Sequence, residues 1–361
     1  MRRCGRGGCI EERRQDSEPF RLSRQGNISR SGVGFPMKRA ISGLNQERVV
    51  FLLFVLILLV FSLALPGFLN AQNLVLLMRG VSVLGILSVG MCIVVIGRGI
   101  DLSMVATMAL SVAWALQLNA DGMSLPMALT IGVASAVLVG LINGVLIAYA
   151  EIPPIFATLA TGACVYGFGR FALIHSDLVY VTPSVGSLVE LGQGRVLGVP
   201  MPVIVFAAIA AIVGAILHFT KFGRFSYAIG DNYGTARVSG VPIRHVLIGQ
   251  YVLSSLVAFV AGLTQAMTVS SMNTRISDTL LIYDVILVVV LGGVGLSGGR
   301  GGIRNVIVGT LLIGTFLNGM TIMDVQYTMQ NAIKAAILLV AITIDTLINP
   351  RDEQTSQHGD I

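Results

Sequence analysis

The sequence predicts an all-α polytopic membrane protein with about ten transmembrane helices. Hydrophobic residues make up 54% of the 361-residue chain and charged residues only 12%, about half the charge of a soluble domain. The apolar residues gather into runs of roughly 20, the length a helix needs to cross a hydrocarbon core of ~30 Å. Eleven of the 24 Lys and Arg residues precede Val49, which is the bias of a cytoplasmic N-terminus. The short alternating segments of a transmembrane barrel are absent.

Residues 1–48 form a basic head, rich in Arg, Gly and Ser, that is expected to be largely disordered. No apolar stretch directly follows its charges, so it does not read as a secretory signal. Met37-Lys38-Arg39 would open a conventional short head, which makes Met37 an alternative start of translation. The permeable unit then occupies 49–350, with spans expected at Val49–Leu65, Val81–Gly97, Leu102–Leu118, Met127–Ala148, Ile155–Ile174, Met201–Phe219, Leu247–Val269, Leu281–Leu296, Ile303–Met320 and Ile333–Ile348. Pro66, Pro126, Pro153-Pro154, Pro200, Pro202 and Pro350 fall at their ends, where a missing N–H costs least. Residues 351–361 are left as a tail.

Ten spans put both termini on the cytoplasmic side, together with Arg98, the 221–246 stretch, Arg300, Arg304 and Arg351. Arg79, Arg195, Arg275 and Lys334 then fall in loops on the opposite side. Two runs are interrupted, at Gly97–Asp101 and at Leu291–Gly302. Irregular backbone at membrane depth needs protein or a water-filled cavity around it, so both are expected to be re-entrant turns near a conduction path. The longest polar break, Lys221 to Val246, carries Lys221, Arg224, Arg237 and Arg244. It exceeds what a turn requires and reads as a cytoplasmic docking surface.

Composition also excludes. The net charge of +6 sits mostly in the head, with no folded basic face, so no nucleic-acid partner is expected. His175, His218, His245 and His358 have no ligand spacing, so no metal is expected. Cys4 and Cys9 lie in the head, and Cys92 and Cys164 read as buried thiols acting as small hydrophobes. The glycines near Ser297 do not spell G-x-x-x-x-G-K-[ST], so this chain is expected to bind no nucleotide or other cofactor itself.

Four motifs carry a resemblance that spans most of residues 40–350. They are Gly99-Ile100-Asp101-Leu102-Ser103; Asn143-Gly144 followed by Ile152-Pro153-Pro154-Ile155-Phe156-Ala157-Thr158-Leu159; Gly230-x-Asn232-x-x-x-Ala236-Arg237-x-Ser239-Gly240-Val241; and Leu291-Gly292-Gly293 through Leu296-Ser297-Gly298-Gly299-Arg300-Gly301. The chain resembles the permease subunits of bacterial ABC importers for ribose, xylose, arabinose, galactosides and related sugars. The resemblance implies a translocation path for a monosaccharide across the inner membrane, built by two permease copies or paralogues. Separate ATPase subunits would dock from the cytoplasm, a periplasmic binding protein would deliver the sugar, and the spans would be seated in membrane lipid. It assigns Gly230, Asn232, Ala236, Arg237, Ser239, Gly240 and Val241 to the segment that couples to the ATPase. Asn232 suits the N-cap of a short helix there, Gly240 and Pro242 can end it, and Arg237 would face a carboxylate of the partner. Some positions depart from the family: Arg98 stands where glycine is usual, Met104-Val105-Ala106 replaces a run of small residues, Tyr149-Ala150-Glu151 lacks basic residues, and Val294-Gly295 replaces a more polar pair. The sugar is left open.

Asp101, Ser103, Asn143, Thr158, Asp284 and Ser297 are the candidates for the path. An ionisable group at membrane depth reads as functional. Asp101 would equally start a helix and complement its dipole, with Arg98 as partner. Asn143 can serve a sugar hydroxyl or a neighbouring helix. The hydroxyls of Thr158 and Thr161 can line the path or satisfy carbonyls freed by Pro153-Pro154, and Arg170 and Asp284 can line it or snorkel from a span end. The rival readings are an ion-coupled secondary transporter using Asp101 or Asp284, a permease for branched-chain amino acids, and an integral-membrane enzyme. The last would need an acidic or His cluster at one interface, which the sequence lacks.

Overall fold

The computed structural model describes residues 46–348. The expectations for residues 1–45, including Met37, Cys4 and Cys9, and for the tail with His358 concern residues outside this range. Ten apolar helices follow in order: α1 (Gln46–Ala64), α2 (Ala71–Ile96), α3 (Met104–Ala120), α4 (Leu125–Ala148), α5 (Pro154–Phe168), α6 (Met201–Phe219), α9 (Ile243–Val269), α10 (Leu281–Gly292), α11 (Ile303–Ile322) and α12 (Tyr327–Ile348). Between α6 and α9 lie two helices outside this set, α7 (Lys221–Asp231) and α8 (Tyr233–Val238). Seven of the ten are long and apolar enough to cross a membrane, α5 counting with the π-helical turn that extends it to Leu173; α3, α10 and the Tyr327–Thr343 part of α12 are shorter apolar helices. The chain is a multi-pass membrane protein of the all-α class.

The helix α2 runs through the middle of the bundle. Every residue from Val81 to Ile96 is buried, and α3 is nearly as enclosed. An all-apolar helix that is hidden all round belongs to a bundle core. The helix begins ten residues before the predicted start, because Asn70 accepts from Gln72 N and caps it. Arg79 is therefore a helical residue, not a loop residue, and its Nη2 donates to Gln193 O. At the same end, Asn73 and Asn318 of α11 exchange side-chain hydrogen bonds of 3.0 and 2.9 Å. Lys334 is likewise not in a loop, since α12 begins at Tyr327.

A stripe of small residues sets the closest packing. Ala128, Gly132, Ala136, Gly140, Gly144 and Ala148 recur every fourth residue along α4, and all are buried. A Cβ on Gly140 would lie 2.7 Å from Tyr251 O and from Val252 Cα, and one on Gly144 would lie 2.6 Å from Ile248 Cα. These glycines let α4 and α9 meet backbone to backbone, where packing rather than hydrophobicity drives association in lipid. Of the two cysteines described, Cys92 is buried as expected, whereas Cys164 is exposed on the outside of α5. That exposed face of an apolar span is suited to lipid.

The two ends of the bundle differ. At the Val269 end of α9, β1 (Leu178–Tyr180) pairs antiparallel with β4 (Ser271–Asn273), and β2 (Arg195–Val196) forms a hairpin with β3 (Val199–Pro200). Asp177 bridges Arg170 and Arg275 there. At the Ile243 end lie α7 and α8, the Arg98 turn and the glycine-rich loop after α10. Gly299 N donates to Ile96 O at 2.9 Å, and Tyr227 Oη donates to Gly301 O at 2.9 Å. The two interrupted runs thus meet each other and α7 at one end, as an even number of spans requires.

Candidate functional site

Two groups of residues gather near the Ile243 end, one on the surface and one in the core. The surface group is the break between α6 and α9, which folds as two capped helices. Thr220 accepts from Gly223 N to start α7, and Asn232 Oδ1 accepts from Thr235 N at 2.8 Å to start α8. The α8 helix ends at Gly240, with φ of +76°. There Gly240 N donates to Arg237 O and Val241 N to Ala236 O, the paired bonds of a Schellman ending in which glycine takes the left-handed residue. Ser239 is the C-cap. The short helix starting at Asn232 is therefore where the sequence put it, whereas α7 and its amphipathic face were not foreseen.

The apolar side of this unit has its own small core. Ile229 and Ala236 pack with Val94, Ile147, Ala157, Val246 and Tyr251. Arg237 and Ser239 point outward, and Val238 is 91% exposed. Gly230 closes the other side. A Cβ there would run into Ile96 O and the backbone of Gly299, so only glycine lets α7 reach the end of α2. Burial pushes the Tyr227 phenol up to about 12, so it stays a neutral donor to Gly301 O at ordinary pH. Arg244 stacks over Tyr149 at 4.9 Å, tying the α4–α5 turn to the start of α9.

The core group is a polar node around Asp101. Its Oδ1 accepts from Ser103 N at 3.1 Å and Ser103 Oγ at 2.6 Å, and its Oδ2 accepts from Ser254 Oγ at 2.9 Å. Asn143 Nδ2 donates to Ser103 Oγ at 2.7 Å. Thr158 Oγ1 accepts from Leu102 N at 3.1 Å and donates toward Pro154 O at 2.8 Å. Four of the six path candidates, Asp101, Ser103, Asn143 and Thr158, are thereby joined, and all four are fully buried. The node ties the α2–α3 turn to α4, α5 and α9. The bond to Ser103 N one residue before α3 also gives Asp101 the helix-start role.

The remaining two candidates lie apart. Asp284 Oδ1 is 2.7 Å from Lys334 Nζ, and Oδ2 is 3.0 Å from it. Ser297 sits in the glycine-rich loop, half-buried, near Gly295. Arg170 bonds Ser176 O and Asp177 at the opposite end rather than lining the node.

Sequence reasoning did not name Gln250, Tyr251, Ser254 and Ser255 of α9. All four are buried, and Gln250, Tyr251 and Ser255 each carry a side-chain polar atom with no hydrogen-bond partner among the described residues. The signal was present, because polar residues inside an apolar run need a reason. The fourfold stripe of α4 was equally readable and equally passed over.

Comparison with known proteins agrees with this arrangement. Residues 73–342 match the family described as "Branched-chain amino acid transport system / permease component". The ribose import permease RbsC of Bacillus subtilis is 34% identical over 307 residues, which cover 84% of this chain and 94% of that protein. RbsC of Escherichia coli K12 is 31% identical over 306 residues, with the same coverage. The L-arabinose ABC transporter permease AraH of Azospirillum brasilense is 32% identical over 302 residues, 84% of this chain and 88% of that one. No solved structure matches. These relatives are transport components rather than enzymes. An all-α bundle of apolar helices fits them, and the chain belongs to this family of ABC importer permeases.

Proposed function

We propose that this chain forms the path for a monosaccharide of the ribose or xylose type across the bacterial inner membrane. It works as one of two permease copies or paralogues, energised by a separate ATPase and supplied by a periplasmic binding protein. The relatives named for ribose and L-arabinose support the sugar, and a galactofuranose permease of Escherichia coli at 33% identity extends the class. The observation that carries the coupling is α8: a capped six-residue helix on its own small core, with Arg237 and bare Val238 outward. An apolar side chain beside an exposed guanidinium suits a groove rimmed by carboxylates on the ATPase. In this reading α7 and α8 face the cytoplasm and both termini share that side. Alternating access follows when closure of the ATPase pair moves the two helices.

The family description favours a second cargo, branched-chain amino acids. An ion-coupled carrier has less support, because Asp284 is paired with Lys334 and Asp101 accepts three hydrogen bonds. The test is uptake of labelled D-ribose, D-xylose and leucine into vesicles holding the permease, its ATPase and its binding protein. Pentose uptake that stops when ATP is removed and persists when the ion gradient is collapsed is the expected result. Uptake that follows the ion gradient overturns the coupling, and uptake of leucine alone overturns the sugar.

A further inference from the structure

The turn after α2 contains an arginine in a backbone conformation that suits glycine. Arg98 has φ of +68°, in the left-handed region where a Cβ crowds the following carbonyl. A glycine would adopt it without strain. The arginine instead sends its side chain across to the end of another helix. Nε donates to Gly230 O at 2.8 Å and Nη2 to Asp231 O at 2.7 Å.

Both acceptors are final carbonyls of α7, which bears the partial negative charge of a helix C-terminus. The last turn of α7 has no basic residue of its own, so the cation that complements it comes from the α2 turn, 132 residues earlier for Gly230. The main chain of the same turn is also held. Ile96 O accepts from Gly299 N, and a Cβ on Gly298 would strike the Arg98 side chain. Three residues beyond Arg98, Asp101 anchors the turn to α9 through Ser254. Beyond the apolar packing of Ile229 and Ala236 on Val94, the Arg98 side chain therefore adds a polar tie from the helix pair α7–α8 to the central helix α2 and, through its turn, to the polar node.

We propose that Arg98 is a positioning residue in energy coupling: its guanidinium fastens the end of α7 to the end of α2, so that the docking helices and the central helix move as one body. This rests on the transport reading above. Without the latch, α7 and α8 can follow the ATPase while α2 stays behind, and hydrolysis runs without translocation.

The experiment uses the full complex of permease, ATPase and binding protein in proteoliposomes, with D-ribose as cargo. For Arg98→Gly, which keeps the turn conformation and removes the latch, ATP hydrolysed per ribose imported is expected to rise at least about tenfold, the factor that losing even one of the two charge-assisted hydrogen bonds implies. Arg98→Lys should recover most of the coupling, because an ammonium still complements the helix end. A purely structural role would lower the amount of assembled complex and leave the ratio per ribose unchanged; an unchanged ratio in Arg98→Gly overturns the latch. A second measurement does not depend on cargo. Spin labels at Ala71→Cys and Gly234→Cys, in a chain whose four cysteines are alanine, should keep one distance with and without ATP. In Arg98→Gly that distance should shift or broaden on adding ATP. If wild type imports no ribose, the sugar reading falls, and the label distances still decide the latch: the same response in wild type and Arg98→Gly overturns it.

Discussion

Replacing Gly230 by alanine isolates the contact that seats α7 on the end of α2. A methyl at Gly230 would lie 2.9 Å from Gly299 Cα and closer still to Ile96 O, with no flexible side chain to give way. Overpacking of this kind costs about 1–3 kcal/mol if the backbones flex. If they part instead, the Gly299 N to Ile96 O bond is lost, about 1 kcal/mol, with the two Arg98 bonds to the α7 carbonyls, each about 1.5–3 kcal/mol. The cheaper route prevails, so the cost is about 2 kcal/mol, which lowers the ratio of the packed to the parted arrangement of α7 and α2 more than tenfold. Gly234→Ala is the control: its Cβ meets only Asn232 Oδ1, at 3.4 Å, and alanine favours a helix by about 0.8–1 kcal/mol. The assays are thermal unfolding of the purified permease and ATP-driven uptake in vesicles. Gly230→Ala should melt lower and lose most uptake, whereas Gly234→Ala should melt at or above wild type. Wild-type melting and uptake for Gly230→Ala would refute the close contact of α7 with α2.

Further substitutions separate the roles of individual side chains. Arg237→Glu should leave folding intact, because the residue is exposed, but abolish ATP-driven uptake by reversing the charge offered to the ATPase; normal uptake in vesicles would count against the docking surface. Lys334→Met should destabilise by about 3–5 kcal/mol, since it strands the mostly buried Asp284 carboxylate, and adding Asp284→Leu should restore much of the loss in a denaturation assay. Asp101→Asn should assemble with the ATPase, because Ser254 and Ser103 hydroxyls can turn to accept from an amide. Asp101→Leu should not, because it leaves the two hydroxyl protons and the Ser103 N–H buried without their acceptor, at about 1–3 kcal/mol each. Pull-down of the ATPase by each variant distinguishes the two.

The sequence alone determined the class of the protein and the place of the short helix α8. Apolar runs of roughly 20 residues can satisfy their backbone in lipid only as helices, and each of the ten expected runs contains a helix, although the eighth stops at Gly292 rather than Leu296 because Gly293 turns left-handed. Local chemistry likewise fixed α8, because a cap residue at Asn232 and a left-handed glycine at Gly240 act within a few residues of themselves. The convergences needed the tertiary structure. Asp101 meets Ser254 across 153 positions and Asp284 meets Lys334 across 50, and no local period announces either meeting. They follow from how closely α4 and α9 approach and how α12 lies on α10, which small residues and buried pairs settle together. The same holds for Arg98. Its charge could be read as a loop cation, but its function as a clamp exists only because Gly230 lets a helix end come within reach of it.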